Sequence, residues 1–296
     1  MVYKLDLSAF VLTVSDNISW RFYILISVLI TLQLAIRSFR FKFLFNHMFK
    51  DRFFLRESFI LTGASFFIAM ITPNKLGDTA RGFFFKSRGT EITAITLIEY
   101  VFDTLILVGI AFFGVMFIYR DYLTVFLLAF AVALIALIIS LCLLKYNKLR
   151  KVVGRFDCYQ KIGDRLKLVK SHFKASVRSK FVLLTGFVFS CLFHAIYFYI
   201  FYMILHQLGA EISLVDALFS SAVGMFIGSL TFVPMGMGIR DVSTYGLLCC
   251  VGVGPEIIIS SVVIMRSLSI PLMLTSSICY FIAINFFHKK TEMFID

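Results

Sequence analysis

Eight apolar runs decide what this chain can fold into: residues 19–36, 58–73, 92–118, 121–144, 181–205, 214–233, 242–253 and 256–287. Several approach or exceed the roughly 18–20 residues that a helix needs to cross the hydrocarbon core of a bilayer. A soluble domain of 296 residues, 60% of them hydrophobic, could not hide such runs, because soluble domains average about 45–50% apolar residues. No series of short alternating strands appears, which argues against a β-barrel. The sequence therefore predicts an all-α polytopic membrane protein, one transmembrane domain over residues 1–296.

The formal net charge of +12 would suggest nucleic acid on a soluble protein. Here the Lys and Arg crowd the edges of apolar runs, the footprint of cytoplasmic loops beside anionic lipid, and nucleic-acid binding is not expected. Six basic residues fall in 37–56 and twelve in 145–180, and Lys289 and Lys290 follow the last run. Loops 37–57 and 145–180 and the C-terminus are thus expected in the cytoplasm, with the N-terminus outside and the plasma membrane as the location. No cleavable signal sequence is expected, since the first run is followed by Arg37, Arg40 and Lys42 rather than by small residues. The cysteines form no CxxC and the histidines are scattered, so neither a metal site nor any cofactor is indicated.

Counting crossings adds a constraint. Three runs separate two loops expected on one side, and an odd number of crossings cannot join them. One run must enter and leave by the same face. The best candidate is 58–73, about 24 Å of helix, followed by the basic stretch 75–88. Beyond 181–205, closing the count requires 214–253 to form a second hairpin from the opposite face. The final run, 256–287, is then one long crossing bent near Pro271, or two shorter elements. The expected total is five full spans and two re-entrant hairpins. The tips resemble one another: Pro73 and Gly77 in the first, Pro234, Gly236 and Gly238 in the second, each followed by charges of both signs. That pattern predicts an inverted repeat, with halves at 1–144 and 181–296, although an ordinary turn between two helices would also explain each Pro–Gly tract. The linker 145–180 carries Ile162, Leu166, Val169, Phe173 and Val177 on one helical face among basic residues. It predicts an amphipathic helix on the anionic leaflet, or a solvated linker helix.

Ionisable groups inside the runs cost about 2.5–3.5 kcal/mol each on insertion scales and point to function. Glu99 and Asp103 lie four residues apart on one helix face. Arg266 lies within 256–287, and the tips add Asp78, Arg81, Arg240 and Asp241. Four carboxylates thus accompany three guanidiniums. They are expected to converge in one polar chamber that accepts a zwitterionic or anionic headgroup, with Asn74 and Tyr100 as polar companions. The plainer reading is an ion-pair network that only locks helices. No nucleophile–base set, Walker loop or HExxH is present, so catalysis is not expected.

The stretch Pro73, Asn74, Gly77, Asp78, Arg81, then Glu99 and Asp103, resembles the membrane region of the lysylphosphatidylglycerol synthase family. So does the later tract Pro234, Gly236, Gly238, Arg240, Asp241 with the downstream Arg266. Two carboxylates are shorter than that family's usual Glu, at Asp78 and Asp241, and no aminoacyl-transfer domain is expected. The resemblance implies the lipid-handling half of such proteins, a flippase-like translocase. In that role Arg81, Arg240 and Arg266 would engage phosphate, and Glu99 and Asp103 an amine or coupling ion. Asp78 and Asp241 would hold the arginines, and the tip glycines would serve as hinges. The alternative is an accessory subunit that presents lipid to a separate glycosyltransferase or aminoacyl transferase, docked on 145–180.

Overall fold

The computed structural model describes residues 18–49, 52–72, 78, 81–82, 88–120, 124, 127, 157–231 and 233–287. Within them lie eight α-helices and no strand: α1 (Trp20–Met48), α2 (Leu55–Ile71), α3 (Gly89–Phe117), α4 (Asp157–Arg178), α5 (Lys180–Gln207), α6 (Leu214–Ser229), α7 (Ile239–Cys250) and α8 (Pro255–Phe287). Stretches in α1, α3, α5 and α8 are long and apolar enough to cross a membrane. The chain is a polytopic all-α membrane protein. The further span expected over 121–144 lies, apart from Thr124 and Leu127, outside the described residues.

Local chemistry sets the helix starts. Ser19 and Ser213 accept the backbone N–H of Phe22 and Asp216, filling one orphan donor at each N-terminus. Glu57 accepts the N–H of Phe54 at 2.8 Å, the returning half of a capping box. Pro255 opens α8, where its missing N–H costs nothing. The helix then runs unbroken through Pro271 to Phe287, so the final run is one element and not two. The long helices are apolar on most of their circumference, as buried or lipid-facing helices must be. Leu25, Val28, Leu105, Phe113, Leu184 and Phe187 all stay exposed, a surface suited to hydrocarbon and far too greasy for water.

Two apolar clusters fix the direction of every helix. One gathers Phe41, Leu44 and Phe45 near the end of α1, Phe53 and Leu61 at the start of α2, Ile92, Ile95 and Ile98 at the start of α3, and Val182 at the start of α5. The other gathers Leu205 at the end of α5, Ala217 at the start of α6, Leu248 at the end of α7 and Ile258 at the start of α8. Since α5 runs from one cluster to the other, they mark opposite ends of the bundle. The chain leaves the first end in α2 and is back there where α3 begins. It leaves the second end in α6 and returns in α7. With 16 and 12 residues, α6 and α7 reach about 24 and 18 Å, short of the roughly 30 Å core.

The two legs of the second hairpin touch through glycine. A Cβ at Gly228 would meet the Cβ of Arg240 at 2.6 Å, and Gly224 abuts Thr244. The pair Gly224 and Gly228 is the small-residue spacing that lets membrane helices approach closely.

The structure corrects one expectation and adds detail to another. Residues 37–48 are not part of a loop: α1 continues through them to Met48, because Arg37 and Arg40 find counterions inside the bundle. In α4, the inner face is Val169, His172, Phe173 and Ser176, with Phe173 packed against the first-end cluster, whereas Val177 is exposed. The described part of that face, Val169 and Phe173, thus turns toward protein. Its opposite pole presents Lys167, Lys170, Lys174 and Arg178. Ile162 and Leu166 lie outside the described side chains.

Replacing Gly228 by leucine should force α6 and α7 apart. The expected loss is about 1–3 kcal/mol of stability, the usual cost of overpacking, read as a lower unfolding midpoint in detergent, with Gly228→Ala less affected than Gly228→Leu.

Candidate functional site

Six charged side chains from three parts of the chain form one alternating series in the first half of the bundle. Arg40, on α1, is fully buried. Its Nη1 and Nη2 donate to the two carboxylate oxygens of Asp103 at 2.6 and 3.1 Å, and its Nε donates to Glu99 Oε1 at 3.1 Å. Nη1 also donates to Ser190 Oγ on α5. Four of its five N–H groups are thus placed, in the bidentate geometry that the guanidinium fork favours. Glu99 passes the chain on: its Oε2 accepts from Arg81 Nη1 at 2.9 Å. Arg81 Nη2 lies 3.7 Å from Asp78 Oδ1, and Asp78 Oδ2 accepts from Arg37 Nη2 at 2.6 Å. The order is Asp103, Arg40, Glu99, Arg81, Asp78, Arg37, three charges of each sign and no net charge.

The helical register explains why these groups meet. Glu99 and Asp103 are one turn apart on α3, and Arg37 and Arg40 are one turn apart on α1, so each helix offers a matched pair to the other. Arg37 lies eleven residues before the end of α1, about 16 Å along the helix, and Glu99 ten residues into α3, about 15 Å. Asp78 and Arg81 reach the same depth from the segment after α2. Arg81 also lies over the face of Phe41, its Cζ 5.7 Å from the ring centroid. Among the described residues its Nε and Nη2 have no hydrogen-bond acceptor.

The second group is smaller. Asp241, at the start of α7, accepts from Arg266 Nη2 through both carboxylate oxygens at 2.9 and 3.2 Å. Asp241 Oδ2 also accepts the N–H of Gly238 at 3.2 Å. Arg266 lies eleven residues into α8, again about 16 Å from the bundle end. Arg240 is half-buried, and its Cζ lies 5.2 Å from the ring centroid of Tyr197 on α5. It forms no ion pair or side-chain hydrogen bond among the described residues. Two cations thus face one carboxylate.

The charges expected to share one chamber therefore form two groups, and no ion pair or hydrogen bond joins them among the described residues. Asp78, Arg81, Glu99 and Asp103 come together in the first; Arg240, Asp241 and Arg266 in the second. Gly236 and Gly238 form the turn before α7 with φ of +63° and +81°, Pro234 lies in the same turn, and Pro73, Asn74 and Gly77 lie outside the described residues. Sequence reasoning missed Arg37, Arg40, Ser190 and Tyr197. A signal for the arginines existed: four intramembrane carboxylates against three guanidiniums left acid without a counterion. No group of three or more His, Cys, Asp or Glu among the described residues could hold a metal ion.

A bundle of apolar helices whose first group of buried charges is balanced side chain against side chain, with an irregular Pro–Gly turn before α7, defines an integral membrane protein that holds polar groups within the bilayer. The chain matches the family model described as the lysylphosphatidylglycerol synthase TM region over residues 1–276. It belongs to that family, membrane proteins of lipid modification or translocation. No curated protein and no solved structure matches it.

Arg40 is the keystone of the first group. Arg40→Ala leaves Glu99 without one of its two cations and Asp103 without its bidentate partner, and should cost about 3–5 kcal/mol. Adding Asp103→Asn should lose clearly less than the sum of the two single changes, because the stranded charge disappears with its partner. Denaturant-induced unfolding in micelles measures both.

Proposed function

We propose that the chain is a lipid translocase that carries a phosphate-bearing headgroup, on a phospholipid or a polyprenyl-linked lipid, between leaflets. The observation that carries this reading is the imbalance at the second group among the described residues: Arg240 and Arg266 against Asp241 alone, with Arg240 only half-buried. A net positive site inside the bilayer attracts an anion, and the planar guanidinium is suited to phosphate. The first group, balanced and almost wholly buried, serves as an ionic lock between α1, α3 and α5 around which the rest moves. The two hairpin units, opening from opposite ends, act as an inverted pair, and the lipid tails stay in hydrocarbon while the headgroup passes the tips. The end of the bundle carrying Arg52, Arg56 and the basic face of α4 faces the cytoplasm of the cell membrane, where an excess of Lys and Arg belongs.

A second reading has an observation of its own. Lys167, Lys170, Lys174 and Arg178 form a narrow exposed stripe on α4, which suits an acidic partner or an anionic leaflet. On this reading the chain presents lipid to a separate transferase and moves nothing alone.

Reconstitution separates the two. The purified chain in liposomes should translocate a fluorescent phosphatidylglycerol. Arg240→Ala or Arg266→Ala should slow it about 10- to 100-fold, the equivalent of losing one charge-assisted hydrogen-bonding partner. Translocation indistinguishable from empty liposomes, with co-purification of a transferase, would favour the accessory role.

A further inference from the structure

The geometry points to Tyr197 as the positioning residue that holds Arg240 as a cation available to phosphate; this rests on the transport reading above. Each hairpin unit places an arginine beside an aromatic ring of the helix that precedes the unit: Arg81 over Phe41 of α1 and Arg240 over Tyr197 of α5. The two cases then diverge. Arg81 also donates to Glu99 and lies near Asp78, so its charge is neutralised. Among the described residues Arg240 has the ring and no ion pair to a carboxylate.

That difference has a chemical consequence. A carboxylate stabilises a guanidinium by occupying its N–H donors and cancelling its charge. An aromatic face attracts the cation through the ring quadrupole and leaves both intact. In a low-dielectric site the ring is thus a way to keep an arginine in place while it waits for an anion. The neighbours of Arg240 fit that use. Asp241, the nearest acid in sequence, is turned to Arg266 and to the N–H of Gly238. Gly228 and Gly236 leave the space that the Arg240 stem fills, since a Cβ at either would meet its Cβ at 2.6 or 3.3 Å. Tyr197 is itself fixed, its ring edge-on to buried Phe198 at 5.6 Å between centroids, and Phe198 packs with Leu107 of α3 and Phe226 of α6. The ring thus belongs to α5, packed against α3 and against α6, whereas Arg240 lies on α7, the second leg of the hairpin.

The ligand is a phosphate ester, either the headgroup of a lipid or a soluble phosphate. The test uses the whole chain in liposomes, with fluorescent phosphatidylglycerol varied in mole fraction so that half-saturation and maximal rate separate. Tyr197→Leu removes the ring face and should raise the half-saturating fraction about 2- to 30-fold, the range of cation–π strengths. Tyr197→Phe keeps the face and should stay near wild type, and Tyr197→Trp should be at least as good. A purely structural role for the residue would not sort the variants by π-face. If Tyr197→Leu does not fold, the comparison of Phe and Trp with Tyr197→His at neutral pH supplies the same ranking. Inorganic phosphate that competes in wild type and loses potency in Tyr197→Leu would assign the seat to soluble phosphate as well; its failure to compete would assign it to the lipid headgroup. Wild-type half-saturation in Tyr197→Leu, with Arg240→Ala still slowed as expected, overturns this inference and leaves the transport reading standing. Wild-type transport in Arg240→Ala overturns both.

Discussion

A guanidinium lies inside a bilayer at least cost when its counterions come with it, and Arg40 shows how completely that condition can be met. Its contacts come from α3 and α5 while it belongs to α1, so one side chain ties three helices at a single depth. The apolar packing around it does not discriminate between registers nearly so well: hydrocarbon faces of Leu, Ile and Phe can slide by a turn and still bury area, and lipid is as apolar as they are. The ionic series cannot slide. Moving α1 by one turn would take Arg40 from Asp103 and Arg37 from Asp78 together, leaving buried charges without partners, which is far costlier than losing apolar contact. The register of the first half of the bundle follows from that penalty.

The second half uses the same parts with the signs exchanged. In the first, an arginine of the hairpin segment, Arg81, meets a carboxylate ten residues into the following helix, Glu99. In the second, a carboxylate at the hairpin, Asp241, meets an arginine eleven residues into the following helix, Arg266. Either polarity satisfies the local requirement that a charge at the tip be paired with one at matching depth. The difference lies in what is left over. On the first side α1 supplies Arg37 and Arg40 to balance the extra acids, and the charges sum to zero. On the second side α5 offers Ser190 to the first group and Tyr197 to Arg240, but no carboxylate, and among the described residues one positive charge remains.

Much of this architecture was legible in the sequence because the membrane removes options. Helix and closed barrel are the available spanning structures, so long apolar runs named the class, and the parity of basic loops singled out 58–73 and 214–253 as the units that return to their own end. Glu99 and Asp103 announced themselves as one helix face. Arg37 and Arg40 did not, for a definite reason: the basic-loop rule reads any arginine beyond an apolar run as a loop residue, and it cannot see that α1 runs on for twelve residues past Ile36 because its arginines are neutralised by acids on α3 and beyond α2. For α4 the periodic apolar face was plain, but periodicity cannot say whether such a face meets lipid or protein; Phe173 packs into the cluster at the start of α3. The division of the charges into two groups was hidden as well, since spacing along the chain fixes depth within the bilayer but not lateral position.

Depth and lateral position together determine what each group can do. The first group has its charges paired with one another, and the donors that Arg81 leaves unused are sealed from solvent. An incoming headgroup would have to displace a carboxylate to use them, exchanging an intramolecular ion pair for an intermolecular one with little to gain. At the second group Asp241 already serves Arg266, and Arg240 is partly open, supported by a ring that takes none of its donors. An anion arriving there removes no existing bond and cancels a charge that the bilayer disfavours. On the proposed transport reading, the asymmetry between the two hairpin units gives them different work: one holds the helices in register, and the other carries a positive charge that binding can relieve.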